Sequence, residues 1–297
     1  MLFSLTRAFD GLAGGALYGL VGIAFMLSAR FGTGWNAAIA SYASWAALAA
    51  IFFAINPGLP FLLTLPLGIA ASVALAIAVE AALLPLRRGP EARMVVVLGT
   101  VAAWLALDAL GTLMVGARGV IFPPETYPVM VFGDDTIMLR LITLFDLLAL
   151  AGVAAAVHHV LTATQLGTAM RAHGFDPLAA ALGGVHPLRT ILVVAAIAGA
   201  IAGLAGVLAA ASGGDVTVAL GVGLLWKGVA AALLGGGRVR RIAVAGLAIG
   251  MAEILGADIW PQFWPLIPWQ GAGGVALLAI LLLRPRGLLP TADMLRS

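Results

Sequence analysis

Cysteine is missing from this 297-residue chain, which excludes disulfides, zinc–thiolate centres and thiol chemistry. Charge is scarce as well. Asp, Glu, Lys and Arg make up 10% of residues, where a soluble domain carries about a quarter. Apolar residues reach 62% and the mean hydropathy is +1.10. These figures exclude a soluble globular protein and point to a polytopic membrane protein. A span needs about 20 mainly apolar residues, so there is room for roughly eight to ten spans and none for a large soluble domain. The net charge of +3 is small and is a loop property, so it does not suggest nucleic acid. Abundant Gly and Ala suit close helix packing in lipid rather than a β-barrel.

Enzyme motifs are lacking too. No Ser lies in a G-x-S-x-G elbow and no H-E-x-x-H occurs. His158 and His159 are adjacent, point to different helix faces and make a poor metal pair; they read as interfacial, as do His173 and His186. The nearest approach to a P-loop is GVGLLWKG (Gly221–Gly228). There Trp226 replaces the required glycine, and no Ser or Thr follows Lys227. This chain therefore has no ATPase motif of its own.

Hydrophobic runs place spans at about 9–29, 36–55, 62–84, 94–116, 137–160, 187–211, 216–235, 242–259 and 265–283. The expected fold is all-α and polytopic, with about nine transmembrane helices (range 8–10), and residues 1–297 form a single domain. The first apolar block, Leu12–Leu27, has only Arg7 before it and no small-residue cleavage site after it, so it reads as a retained span.

Basic residues alternate along this plan. One side holds Arg30, then Arg87, Arg88 and Arg93, then Arg171 and Arg189, then Arg238, Arg240 and Arg241, then Arg284, Arg286 and Arg296. The other holds Arg118 and Arg140 with Glu125, Asp134, Asp135, Asp215 and Asp258. The positive-inside rule puts the first side in the cytoplasm, with the C-terminus inside and the N-terminus outside. Arg7 fits an outside terminus poorly, and a re-entrant segment near Phe31–Asn36 is one way to resolve it. Trp260, Trp264 and Trp269, interspersed with Pro261, Pro265 and Pro268, read as an interfacial aromatic belt in preference to a ligand-stacking site.

Glycines mark packing seams. Gly11, Gly15, Gly19 and Gly22 in the first span, and Gly199, Gly203 and Gly206 in the sixth, line helix faces with small residues. The seventh span, with Gly213, Gly214, Gly221 and Gly223 before Gly235–Gly237, reads either as a discontinuous helix beside a transport path or as a tightly packed one.

Two sets of residues could carry function. The first is Thr164–Gly184 (TQLGTAMRAHGFDPLAAALGG), a weakly hydrophobic stretch between two apolar blocks. Gly174 and Pro177 are expected to divide it into two short helices, with Asp176 as N-cap and Pro177 in the first turn of the second. It is expected to form a helix–turn–helix shelf at the membrane surface, either a docking surface for a soluble partner or an ordinary solvated loop. The second set is the ionisable residues within spans, each costing about 2.5–3.5 kcal/mol on insertion scales: Glu80, Asp108, Asp146, Lys227 and Glu253. Lys227 and Glu253 are expected to pair. Glu80 lies near Arg87 and Arg88, Asp146 near an interface, and Asp108 is central with no evident partner. They read as a polar lining for a solute path or as glue between helices.

LAGGALYGLVGIAFML (Leu12–Leu27), VEAALLPLRR (Val79–Arg88), QLGTAMRAHGFDPLAAALGGVHPLR (Gln165–Arg189), AGAIAGLAGVL (Ala198–Leu208), WKGVAAALLGG (Trp226–Gly236), LAIGMAEIL (Leu247–Leu255) and LLLRPRGLL (Leu281–Leu289) together, in this order, resemble the permease subunits of ABC importers for branched-chain amino acids, of the LivH type. The resemblance implies a bacterial inner-membrane transport subunit. Its expected partners are a second permease, two cytoplasmic ATPase subunits that bind ATP and Mg, and an extracytoplasmic solute-binding protein. It also implies that residues 164–184 couple to an ATPase, with Arg171 and Asp176 as polar contacts and Gly174 and Gly183 as turn positions. Asn36, Asp108, Lys227 and Glu253 would lie along the translocation path. No cofactor is expected in this chain itself. One departure stands out: after the first helix the family shows an Asn-Phe-Ala-His-Gly-like run, where this chain has Asn36-Ala37-Ala38-Ile39-Ala40. The solute is therefore expected to be a branched-chain amino acid or a related small molecule such as an amide or urea. A stand-alone ion-coupled carrier using Asp108, Lys227 and Glu253 is the rival reading.

Overall fold

A computed structural model describes residues 5–32, 34–87, 92–116, 119–122, 131–132, 139–213 and 215–263. Eight of the expected spans coincide with helices: α1 (Leu5–Phe31), α2 (Ile39–Ile55), α3 (Phe61–Leu83), α4 (Ala92–Val115), α5 (Leu141–Ala163), α8 (Pro187–Gly213), α9 (Leu220–Leu234) and α10 (Val239–Phe263). Between α5 and α8 lie α6 (Gln165–Phe175) and α7 (Pro177–Leu182), and α3 ends in a 3₁₀ turn, Leu84–Arg87. The ninth expected span and the C-terminus lie outside the described residues, as do Trp264 and Trp269. Among the described residues five helices are long and apolar enough to cross a membrane outright, and α2 and α9 are shorter apolar helices. The protein is a multi-pass membrane protein.

The fold is all-α as expected, and the strands among the described residues are four two-residue segments. β1 (Val120–Ile121) pairs antiparallel with β4 (Asp215–Val216), and β2 (Val131–Phe132) with β3 (Leu139–Arg140). These two-residue ladders occur in connections, where helix ends leave backbone groups without intrahelical partners.

The glycine seams form as the spacing predicts. A Cβ on Gly15 would lie 2.7 Å from the Leu247 Cα, and one on Gly246 would lie 2.5 Å from the Gly19 nitrogen, so α1 and α10 touch backbone to backbone. Gly199 and Gly203 seat α8 on the small side chains of Ala76 and Ser72 of α3. α1, α2, α8 and α9 are the most buried helices and make the core of the bundle. By contrast α4 and α5 are largely exposed at the periphery.

The packing repeats itself. α1 packs on α9 and α10, α8 packs on α2 and α3, and the two triplets meet where α1 faces α8 and α2 faces α9. Both short helices start after a turn on an alanine with helical dihedrals, Ala38 at φ −65°, ψ −12° and Ala219 at φ −72°, ψ −10°. α1–α2–α3 and α8–α9–α10 thus form two matching units running in opposite directions, the inverted arrangement found in many transporters. At their junction the Ser44 hydroxyl accepts from the Gly221 amide (2.9 Å) and donates to the Val218 carbonyl (2.7 Å).

α9 begins only at Leu220, later than the expected 216, and is unbroken to Leu234. Two of its glycines are packing positions: the Gly228 carbonyl presses on Gly22 of α1, and Gly221 lies against the Ala40 carbonyl of α2, whereas Gly223 is exposed with open space around it. α10 continues through Pro261 to Phe263, past the expected end at 259.

The segment after α1 does turn back into the bundle. Trp35 meets Phe25 edge-on with ring centroids 5.0 Å apart, and Asn36 and Ala38 are buried. Phe25 lies about 9 Å back from the end of α1, at about 1.5 Å per residue. This re-entry adds no crossing, because α2 still starts beside the end of α3 and the first half of α4, toward the side where the arginines gather. It therefore does not account for Arg7.

Candidate functional site

One end of the bundle collects Arg30, Arg87, Arg171, Arg189, Arg238, Arg240 and Arg241, and α6 and α7 lie across it. Thr164 opens α6 by accepting from the Gly167 amide through its hydroxyl (3.1 Å). Gly167 packs directly on the backbone at Val160 and Leu161, a closeness that any side chain would forbid. Asp176 then ends α6 and starts α7. Its Oδ1 accepts from the amides of Leu178 (2.9 Å) and Ala179 (3.0 Å), with Pro177 in the first turn. The expected helix–turn–helix shelf is present, built by the expected cap.

Two details differ from the expectation. α6 runs unbroken through Gly174, and the break falls at Asp176. Gly174 is a contact position: a Cβ there would lie 2.6 Å from the Arg30 carbonyl oxygen and 2.9 Å from the Phe31 ring. At the far end Gly183 has φ −79° and caps α7, while Gly184, at φ +90°, makes the turn.

The shelf has two faces. Met170 and His173 are buried beneath it. Burial, and secondarily the positive charge of Arg87, hold the His173 imidazole below its usual pKa. Outward it presents Phe175, Leu178 and Leu182, exposed by 58%, 73% and 84%. Arg171 is exposed beside them, its guanidinium donating to the Thr168 hydroxyl at 3.3 Å. A helix pair that exposes three large apolar side chains next to an exposed cation has the composition of an interface.

The ionisable residues inside the spans fall into separate groups. Lys227, the only lysine in the chain, forms an ion pair with Glu253 (Nζ to Oε1, 2.5 Å). Tyr18 closes the group from α1: its hydroxyl accepts from Lys227 (2.9 Å) and donates to Glu253 Oε2 (2.7 Å), and the Lys227 ammonium lies 4.7 Å from its ring centre. The expected pair is therefore present and is a triad across α1, α9 and α10. Tyr18 escaped the sequence reading, which weighed only ionisable groups; a lone hydroxyl-bearing ring on the glycine-rich stretch of α1 was its signal.

Asp108 has two partners, one that helical spacing offered and one that sequence separation concealed. Its carboxylate accepts from the Trp104 indole (2.9 Å), one turn away, and more distantly from the Ser41 hydroxyl of α2 (3.5 Å). Asn36 is fully engaged: its oxygen caps the Ala38 amide (3.0 Å) and its amide donates to Glu80 (3.2 Å). Glu80 also accepts from Arg87 (2.7 Å), at the arginine-rich end as expected. Asp146 is buried between α5 and α8, where Oδ2 accepts from Ser212 (3.0 Å). Asn36 and Asp108 thus cluster along α2 and α4, apart from the Lys227–Glu253 triad. Among the described residues no group of His, Asp and Glu could hold a metal ion.

Comparison with known proteins matches residues 7–283 to the family described as the branched-chain amino acid transport system permease component. Over 309 aligned residues the chain is 25% identical to the high-affinity branched-chain amino acid transport system permease protein LivH of Escherichia coli K12, covering 97% of this chain and 96% of the relative. LivH of Escherichia coli O157:H7 matches to the same extent.

Proposed function

This chain belongs to the family of branched-chain amino acid transport permeases, and from that premise we propose that it is the membrane-spanning subunit of an ATP-driven importer. Its solute is a branched-chain amino acid or a related small molecule. Its partners are a second permease chain, two cytoplasmic ATPase subunits and an external solute-binding protein, in a bacterial inner membrane. The arginine-rich end faces the cytoplasm, so the shelf of α6 and α7 faces the ATPases.

The observation that carries this reading is the shelf. It is pinned to the end of α1 through Gly174 and capped by Asp176, yet it exposes Phe175, Leu178, Leu182 and Arg171. In the proposed mechanism Phe175, Leu178 and Leu182 fill a groove in an ATPase subunit and Arg171 meets an acidic group there. Asp176 fixes the angle between the two helices. ATP-driven closure of the ATPases pushes α6 against Arg30 and Phe31, and α1 carries the displacement into the membrane. The two inverted units rock about the junction at Ser44 and Gly221, and the path opens alternately to either side. Asp108, Lys227 and Glu253 supply polar contacts along that path. Asn36, with both its polar atoms engaged, acts by holding the re-entrant segment against Glu80.

Affinity purification of the tagged chain from native membranes tests the assignment. A P-loop ATPase should co-purify and be lost in Arg171→Glu, with the variant still inserted and folded. Uptake should fall with it. Recovery of the chain alone, from membranes shown to contain the candidate ATPase, would sink the proposal, and ion-gradient-driven uptake by the purified chain would replace it.

A further inference from the structure

Two adjoining hollows at the arginine-rich end are not used by this mechanism. The first is a wholly apolar crevice of about 220 Å³ between α1, α5, α6 and α8, lined by Leu27, Val153, Val157, Met170, Ala200 and Ile201 among others. The second is a mixed groove of about 480 Å³ between α6 and the start of α8, where Gln165, His186, Arg189 and Thr190 supply polar groups. Met170 lines both, so the two adjoin at its side chain.

Their placement matches one leaflet of a bilayer. Val153 lies about 15 Å below the end of α5, at about 1.5 Å per residue, and a hydrocarbon leaflet is about half of 30 Å thick. The crevice therefore runs through acyl-chain depth, and the groove sits at headgroup level. Ala156, in the crevice wall, is exposed, so the opening faces the lipid side of α5. Arg189 is exposed and makes no hydrogen bond or ion pair among the described residues. An unpaired cation above a dry apolar slot fits a molecule with an anionic head and a hydrocarbon tail.

We propose that the crevice and groove between α1, α5, α6 and α8 form a binding site for one anionic phospholipid. Arg189 meets its phosphate, His186, Thr190 and Gln165 serve as further headgroup partners, and an acyl chain fills the slot down to Ala200 and Val153. The lipid thereby supports α6 from the side that faces away from α1. The inference rests on the fold and the membrane assignment alone, so it survives even if the ATPase reading fails.

The test is lipid retention by the full-length chain, extracted in mild detergent with whatever partners accompany it. Bound phospholipid is extracted after extensive washing and quantified by mass spectrometry. Wild type should retain anionic phospholipid enriched over the bulk membrane. Arg189→Ala should lower that retention about fivefold, the value of one basic residue at an anionic lipid surface. Ala200→Phe, which fills the slot, should lower it as well, and Arg240→Ala, on an exposed arginine elsewhere at the same end, should leave it unchanged. A photo-crosslinking residue at position 200 in the otherwise native chain should form a lipid adduct, which keeps the test informative if Ala200→Phe does not fold. Retention that ignores charge, retention unchanged by both variants, or a crosslink to a permease or ATPase chain in place of lipid would each overturn the proposal.

Discussion

Removing one member of the Lys227–Glu253 pair should be far more harmful than removing both. In Glu253→Gln the ammonium of Lys227 stays within the bundle with only the Tyr18 hydroxyl and a neutral amide near it. Breaking a buried pair from one side costs about 3–5 kcal/mol, because the remaining charge is desolvated without compensation. Here the side chains retain 20% and 18% exposure, so water relieves part of that cost and about 2–4 kcal/mol is expected. Lys227→Met should cost a similar amount by stranding the carboxylate. The double variant Lys227→Met/Glu253→Gln removes both charges and should recover most of the loss, giving a coupling of about 2 kcal/mol or more. Denaturant titration of the purified chain in one detergent measures the cycle. Uptake by the same four proteins separates two roles for the pair. If it only holds α9 to α10, the double variant regains transport with stability. If it contacts solute, the double variant regains stability and stays inactive. Single variants within about 0.5 kcal/mol of wild type, with no coupling, would refute the pairing itself.

Tyr18→Phe should destabilise by about 1.5–3 kcal/mol, the value of hydrogen bonds to charged groups, in the same titration. Asp176→Ala should cost about 1 kcal/mol locally and raise hydrogen exchange at the Leu178 and Ala179 amides, with Asp176→Asn retaining most of the protection. His173 is held below its ordinary pKa of 6.5 when α6 is docked, so the undocked or unfolded state binds more protons near that pH. Docking is therefore fully stable above about pH 6.5 and weakens as the pH falls towards the lowered value; protease susceptibility of the 164–184 loop should rise on acidification, and His173→Gln should flatten that response. Gly174→Ala should cost about 1–3 kcal/mol, since its Cβ meets the rigid Arg30 carbonyl at 2.6 Å, and should weaken ATPase recovery through misplaced α6 while Arg171 is intact.

Local chemistry was legible in the sequence and tertiary pairing mostly was not. The Asp176–Pro177 start of α7 was readable because a cap and its amides lie within three residues. Hydrophobic runs located eight spans within a few residues, because lipid imposes the length of each run. The Lys227–Glu253 pair was readable for a different reason: two opposite charges in neighbouring spans have few other partners in hydrocarbon. By contrast, Asn36 with Glu80 and Asp108 with Ser41 join residues 44 and 67 positions apart, and each is polar enough to have satisfied other partners. The role of Gly174 was misread because a glycine in a helix and a glycine at a turn look alike until a neighbouring backbone is seen. The start of α9 was misplaced because Val216–Ala219 is as apolar as a helix, yet Val216 pairs in a strand and Val218 gives its carbonyl to Ser44.

The geometry gives α1 a particular place between the two sets of site residues. Its end touches the shelf at Gly174 and holds the connection after α9, where the Arg30 guanidinium donates to the Gly237 carbonyl at 3.2 Å. About four turns away, α1 supplies Tyr18 to the Lys227–Glu253 pair. Along the intervening face Gly22 and Gly19, and just beyond Tyr18 Gly15, hold it against α9 and α10 at backbone contact, so side chains there offer little slack. A push on α6 therefore cannot be absorbed at the surface of α1. It must move α1 as a body, slide it along the glycine seam, or break the seam. Sliding along small residues is the least costly of these, because no interlocked side chain has to leave its hole. On this reasoning enlarging a seam residue, as in Gly15→Ala against the Leu247 backbone, should impair transport more than a cavity-neutral change on the lipid-facing side of α5 with an equal effect on stability. Equal transport by the two variants at matched stability would show that α1 does not need the seam to move.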